Sequence, residues 1–213
     1  MSAGIPVIIG EYGLLGFDRS TDVIEQGETP TDAAIALDLK GATVTAVANG
    51  TEELVRGEDY TVNGDQLTLA AATLAGLTES QQHGVNATLT VEFSRGVPWD
   101  VHVITYDTPV LRDATGSTSS LALPAAFNGD RLATMEAFYA DGTIAGPQNW
   151  TSYKEFGYTF SPDYAANRIT LTQEFFAGVR DNSTVNLTFH FWSGETVEYT
   201  LTRSGSTVTG TAG

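Results

Sequence analysis

Cysteine is absent from this 213-residue sequence, so no disulfide framework can staple the fold and no thiolate metal site can form. Its three histidines, His83, His102 and His190, stand singly, without the spacing of a metal-ligand set. No metal and no cofactor are expected. Positive charge is scarce: 10 Lys and Arg stand against 26 Asp and Glu, a formal net charge of −16. That excess disfavours nucleic acid and anionic membrane surfaces as partners and leaves a neutral or cationic ligand as the easier fit. Long apolar runs are missing too. None approaches the roughly 20 residues of a membrane span, and Met1-Ser2-Ala3 lacks the basic-then-apolar order of an export signal. An export signal, if the protein is secreted, is expected to lie outside these residues.

What the sequence does contain is a pattern written twice. "DLKGATVTAV", "GEDYTVNGDQLTLAAATLAGL" and "GVNATLTVEFSRG" are echoed by "AFNGDRLATM", "EFGYTFSPDYAANRITLTQEFFAGV" and "TVNLTFHFWSGE". In this repeat Gly41 matches Gly129, Tyr60 matches Tyr158, Leu67 and Leu69 match Ile169 and Leu171, and Asn86 matches Asn186. Each half is a string of short Thr-, Val- and aromatic-rich segments broken by Lys-Gly, Asn-Gly and Asp-Gly turns. Leu89, Val91 and Phe93 alternate with polar residues, as do Val185, Leu187, Phe189 and Phe191, the period-two signature of strands with one dry face. Only "LAAATLAGL" and "TQEFFAGV" have helical composition, each about two turns long. The expectation is an all-β chain of two tandem Ig-like β-sandwiches, with the Gly/Ser/Thr-rich stretch 114–120 as a short connector.

The copies differ most between the Gly129 turn and Tyr158, where the second gains about ten residues. This stretch, "YADGTIAGPQNWTSYKEF", is aromatic where loops are usually small and polar. Tyr139, Trp150, Tyr153 and Phe156 lie beside Gln148, Asn149 and Lys154. Rings with amide and hydroxyl neighbours suit a sugar: the C–H face of a pyranose covers a ring, and its hydroxyls need donors and acceptors around the edge. About 80 Å² of apolar burial stabilises one stacked sugar by about 2 kcal/mol, so a polymer offering several subsites is the natural ligand. Trp150 either plugs the edge of its own sandwich or stands as a platform. Trp99 shares a strand face with Val97, Val101 and Val103 and reads as core; Trp192 falls on the polar face of Thr188 and His190, a candidate for the outer surface. His190 has no Ser or Cys motif beside it, and Glu136, Asp141, Glu155, Asp163 and Glu174 read as solvated charge.

The opening stretch "PVIIGEYGLLGFD", followed by "VIEQGE", resembles the seventh barrel strand and following loop of glycoside hydrolase family 5 endoglucanases. In that family the glutamate of the motif is the nucleophile of a retaining mechanism, a position held here by Glu11. "LDLKGATVTAVANG" and "LVRGEDYTVNGDQLTL" resemble the type-X Ig-like module found beside cellulase catalytic domains; "FNGDRLATMEAFYADG", "NWTSYKEFGYTFSP" and "LTFHFWSGE" resemble carbohydrate-binding module family 46. The resemblance implies three segments: 1–28 as a remnant of the catalytic barrel, 29–112 as the type-X module and 113–213 as the binding module. It implies a secreted bacterial enzyme whose accessory region binds β-1,4-glucan, xyloglucan or mixed-linkage β-glucan through Trp150, Tyr139, Tyr153, Phe156, Trp192, Gln148 and Asn149, beside a family 5 catalytic barrel as partner. Retaining hydrolysis needs a second carboxylate about 5 Å from the nucleophile, and no acid/base motif accompanies Glu11, so no hydrolysis is expected of this chain. The alternative is a pair of purely structural modules without independent sugar binding.

Overall fold

One turn, placed alike in both halves, organises each sandwich. Lys40 and Gly41 have φ of 45° and 81°, Asn128 and Gly129 have φ of 48° and 88°, and both turns close with a backbone hydrogen bond, Ala42 to Leu39 and Asp130 to Phe127. Two successive left-handed residues make a type I′ reversal, which glycine adopts without steric cost and asparagine tolerates. In the computed structural model the described residues are 16–17, 21–25, 29–78, 83–147 and 152–213. The chain divides into two units, Met1–Asp107 and Thr108–Gly213.

The first unit runs β1 (Gly16–Phe17), β2 (Thr21–Glu25), β3 (Ala33–Asp38), β4 (Val44–Asn49), β5 (Glu52–Glu53), β6 (Tyr60–Asn63), β7 (Gln66–Leu69), α1 (Ala71–Leu77), β8 (Gly84–Phe93) and β9 (Trp99–Tyr106). One sheet has the order β1-β3-β7-β6, the other β2-β9-β8-β4-β5, with β2 parallel to β9 and the other pairs antiparallel. Alternation buries Ile35, Leu37, Val47, Leu67, Leu69, Leu89, Val91, Val101 and Val103 between the layers, with Leu74 of α1 and Tyr60.

The second unit runs β10 (Val110–Leu111), β11 (Ala114–Ser117), β12 (Ser120–Ala126), β13 (Leu132–Tyr139), β14 (Phe160–Asp163), β15 (Arg168–Thr172), α2 (Gln173–Ala177), β16 (Ser183–Phe191), β17 (Thr196–Ser204) and β18 (Thr207–Ala212). The strand order is β13-β16-β17-β18-β11-β12-β15-β14, with β10 on β12. Its core is more aromatic, holding Phe127, Phe160, Phe175, Phe176, Phe189, Phe191 and Tyr199.

One stretch differs from the sequence-based expectation. The stretch 114–120 is no connector: Ala114–Ser117 pairs with β18, and Ser117 faces Ser120 across a hairpin. Its small residues answer to packing, since a Cβ on Gly116 would lie 2.9 Å from Leu121 Cδ1 and 3.0 Å from the Ser120 carbonyl oxygen. Within the opening segment, β1 pairs with β3 and β2 with β9. Extended, apolar segments next to a sandwich find ladder partners there. Glu11 lies outside the described residues.

Gly210 shows how tight the second core is. It pairs with Leu201 and Ala114, and a Cβ there would meet the Tyr199 ring at 2.4 Å, a ring fixed by its hydroxyl donating to the Arg112 carbonyl at 3.0 Å. Gly210→Ala is expected to cost about 1–3 kcal/mol through overpacking, lowering the melting temperature of this unit by several degrees. Gly76→Ala in α1, with open space around the new methyl, is expected to be neutral or stabilising by up to about 1 kcal/mol. Thermal unfolding of the two variants gives the check; equal effects would contradict it.

Candidate functional site

The outer edge of β13 carries backbone donors and acceptors that need partners, and the stretch after it supplies them. Ile144 bridges to Phe138 and Tyr153 to Glu136; Ala145 N–H donates to the Ala137 carbonyl and Lys154 N–H to the Met135 carbonyl. The first unit solves the same problem with β5, where Glu53 faces Ala48 and Leu54 N–H donates to the Val47 carbonyl. Lys154 therefore stands where the first unit has Leu54. It is buried, and its Nζ donates to the Pro147 carbonyl at 3.1 Å, pinning the longer loop from inside. Burial pulls its ammonium below the usual lysine range, and the Glu136 carboxylate acts against that shift.

On the outer face of this sheet, Glu136 lies opposite Thr188 and Thr188 opposite Glu198, while Thr134 lies opposite His190 and His190 opposite Thr196. His190 Nε2 and Glu136 Oε2 are 3.0 Å apart, both half-buried. The Tyr153 ring stands edge-on to His190, centroids 5.8 Å apart at 83°, and Thr188 Oγ1 donates to the Glu198 carboxylate at 3.0 Å. Trp192 continues the parity of Thr188 and His190 and is half-buried.

The turn that follows Trp192 holds Asp130, a carboxylate only 2% exposed. It accepts from Arg131 N at 2.7 Å and from Ser193 N at 3.3 Å, and from the Ser193 hydroxyl; Trp192 N–H donates to the Arg131 carbonyl. The indole's backbone is thereby tied to the Gly129 turn. Burial pushes the Asp130 carboxyl above the usual carboxylate range, the Ser193 and Arg131 hydrogen bonds oppose this, and the Glu195 charge adds to it. Aromatic rings flanked by fixed carboxylate, imidazole and hydroxyl groups can stack on a sugar and bind its hydroxyls.

Comparison with known proteins agrees with that chemistry. The carbohydrate binding domain family CBM46 matches residues 107–211, and the carbohydrate binding domain X2 matches residues 19–103. The chain carries a domain of each of these two carbohydrate-binding families. It is 41% identical to Endoglucanase B of Paenibacillus lautus over all of this chain and 49% of that protein. The solved full-length tri-modular endo-β-1,4-glucanase B of Bacillus halodurans is 46% identical over 96% of this chain and 38% of that one, with a TM-score of 0.84. The isolated CBM46 of that enzyme is 60% identical over 50% of this chain and 100% of its own length, with a TM-score of 0.48. The chain thus spans about half the length of the curated relative and little more than a third of the solved enzyme.

Within the CBM46 domain the candidate residues separate. Tyr139 faces the core rather than a ligand: it is 7% exposed, its hydroxyl accepts from Arg180 N at 2.8 Å, and the Arg180 guanidinium covers its ring at 4.1 Å. Tyr153 stands against His190 on the outer face described above, and Trp192 follows β16 in the turn, half-buried. Phe156 stands exposed on a turn, and Gln148, Asn149 and Trp150 lie outside the described residues. Glu136, expected as solvated charge, is instead held by His190. Trp99 is half-buried and Val97 exposed, while Val101 and Val103 are core.

The repeat also needs a different register. Arg56 bridges to Tyr60 as Phe156 bridges to Phe160, and Tyr60 and Phe160 face Leu69 and Leu171. Tyr60 therefore corresponds to Phe160, and Tyr158 is left on the surface, 51% exposed. Alignment on Gly57 and Gly157, rather than on the two tyrosines, would have found this.

Asp130→Ala removes the acceptor of a hydroxyl and two amides and is expected to cost about 1–3 kcal/mol; Asp130→Asn retains most of the bonds. The folded carboxyl holds its proton more tightly than the unfolded one. The stability belonging to that raised value is complete below the unfolded range and is lost as pH rises through the folded value. The melting temperature of Asp130→Asn relative to wild type is thus expected to improve as pH rises from below the ordinary aspartate range through the raised one. A difference independent of pH would refute the assignment.

Proposed function

We propose that the CBM46 domain binds β-1,4-linked glucan chains, with xyloglucan and mixed-linkage β-glucan in the same class, through the face that carries Trp192 and Tyr153. The observation that supports this most directly is a half-buried tryptophan directly after the strand that carries the Glu136–His190 and Thr188–Glu198 ladder, in a domain of a carbohydrate-binding family. Gln148, Asn149 and Trp150, which lie between Pro147 and Ser152 in the sequence, complete the site in this reading. Glu136, His190 and Thr188 supply fixed hydrogen-bonding groups for sugar hydroxyls. The net charge of −16 suits a neutral polymer, whose binding needs no electrostatic steering.

The whole protein, in the same reading, is a secreted modular endo-β-1,4-glucanase whose family 5 catalytic barrel is the domain's partner. The X2 unit serves as a spacer. Its similarity to Endoglucanase B and to the tri-modular enzyme supports this assignment. Polysaccharides too large to enter a cell require an enzyme outside it.

Affinity gel electrophoresis in native gels containing xyloglucan, β-1,3-1,4-glucan or hydroxyethyl cellulose tests the binding. Wild type is expected to be slowed, and Trp192→Ala or Trp150→Ala to weaken retardation about thirtyfold, the equivalent of one stacked sugar worth about 2 kcal/mol. If no glucan slows the wild type, the domain is a structural or docking module and independent binding is excluded.

A further inference from the structure

We propose that the turn 155–160 of the CBM46 domain is a second glucan-stacking point, formed by Phe156 and Tyr158; the proposal rests on the glucan-binding reading above. Their side chains are 54% and 51% exposed. Among the described residues of this domain, the other large hydrophobic with such exposure is Val110.

The first unit provides an internal control, because it builds the same turn without these rings. Gly57 N–H donates to the Tyr60 carbonyl as Gly157 N–H donates to the Phe160 carbonyl, and Asp59 and Thr159 N–H donate to the Val55 and Glu155 carbonyls. Both glycines have positive φ, 92° and 79°. Where the second turn has Phe156 and Tyr158, the first has Arg56 and Glu58. The backbone accommodates charged, soluble side chains at both positions, so turn geometry does not require aromatic ones.

The second turn is also rigid. Thr159 Oγ1 donates to the Glu155 carbonyl at 2.8 Å and Thr172 Oγ1 to the Tyr158 carbonyl at 2.7 Å. Phe156 leans edge-on against the fully buried Phe160, centroids 5.4 Å apart at 78°. A ring held in place by the core gives up little conformational entropy when a ligand stacks on it. The Tyr158 hydroxyl adds a donor and acceptor for a sugar hydroxyl.

Two rings on a single turn match the footprint of a glycan better than that of a protein. A stable protein interface needs about 800 Å² per partner around a contiguous apolar centre, whereas one pyranose face covers one aromatic ring. The occupant assigned here is a neutral β-glucan chain.

The test compares wild type with Phe156→Ala/Tyr158→Ala, Tyr158→Ala alone, Phe156→Trp and Trp192→Ala in gels containing hydroxyethyl cellulose or xyloglucan. Arg56→Ala/Glu58→Ala serves as the control in the first unit, and melting temperatures report on folding. The double variant is expected to bind about tenfold more weakly, with a melting temperature lowered by a few degrees at most through loss of the Phe156–Phe160 contact. Tyr158→Ala, which leaves the Phe156–Phe160 contact intact, is expected to show part of that loss, Phe156→Trp to keep binding, and the control to match wild type. If Trp192→Ala weakens retardation while the Phe156 and Tyr158 variants do not, the turn is a protein-docking or inert surface and the proposal falls alone. If wild type itself is not retarded, the glucan-binding reading falls and takes this proposal with it.

Discussion

The unpaired edge of β13 is the constraint on which the second unit's architecture depends. An open strand edge must be covered or it pairs with something else. The first unit covers its counterpart with the two residues of β5 and then turns at once toward β6. The CBM46 domain covers it twice, at Ile144 and at Tyr153, with an excursion between them. Because both ends of the excursion are hydrogen-bonded to the same strand, the insertion is tied down at its base. Lys154 is the residue that makes this possible: a leucine at that position, as in the first unit, packs against the core but offers nothing to the carbonyl of Pro147.

That solution has consequences on both sides of Lys154. Upstream, Tyr153 is brought edge-on to His190, which fixes the imidazole against Glu136. Downstream, the chain re-enters the turn shared by both units, and the core position is filled by Phe160. Ring burial at Phe160 satisfies the core, so the aromatic residues before it are free to face solvent. A core aromatic and a surface aromatic two residues apart are thus the product of one register.

Much of the fold was legible in the sequence because it rests on local pattern. The alternation in "NATLTVEF" and "TVNLTFHF" places Leu89, Val91, Val185, Leu187, Phe189 and Phe191 on inner faces, and only Phe93, at a strand end, is less than buried. The two short helices lie in "LAAATLAGL" and "TQEFFAGV". What was not legible depends on contacts far apart in sequence. Glycine and serine in 114–120 look like a linker until their closeness to Leu121 and the pairing with β18 are known. Tyr139 shares the composition of a binding loop, yet Arg180, 41 residues away, covers it. Tyr60 and Tyr158 match as letters, but ladder register, not identity, decides which residue enters the core. Asp130 stands in no sequence motif, and its link to Ser193 crosses 63 residues.

The two units diverge in a way that composition alone would blur. Both use the same type I′ turn, the same small helix before a long strand, and the same glycine-containing turn before β6 or β14. The first fills its core mainly with aliphatic side chains and puts Arg56 and Glu58 outside. The second fills its core with rings and keeps further rings outside. An exposed ring adds little to the stability of its own domain and raises the risk of association. Its presence on a rigid turn, beside a homologous turn that does without it, is what a surface for an uncharged, ring-shaped ligand requires. In a chain carrying a net charge of −16, mutual repulsion offsets the association hazard of such rings while leaving a neutral polymer free to approach.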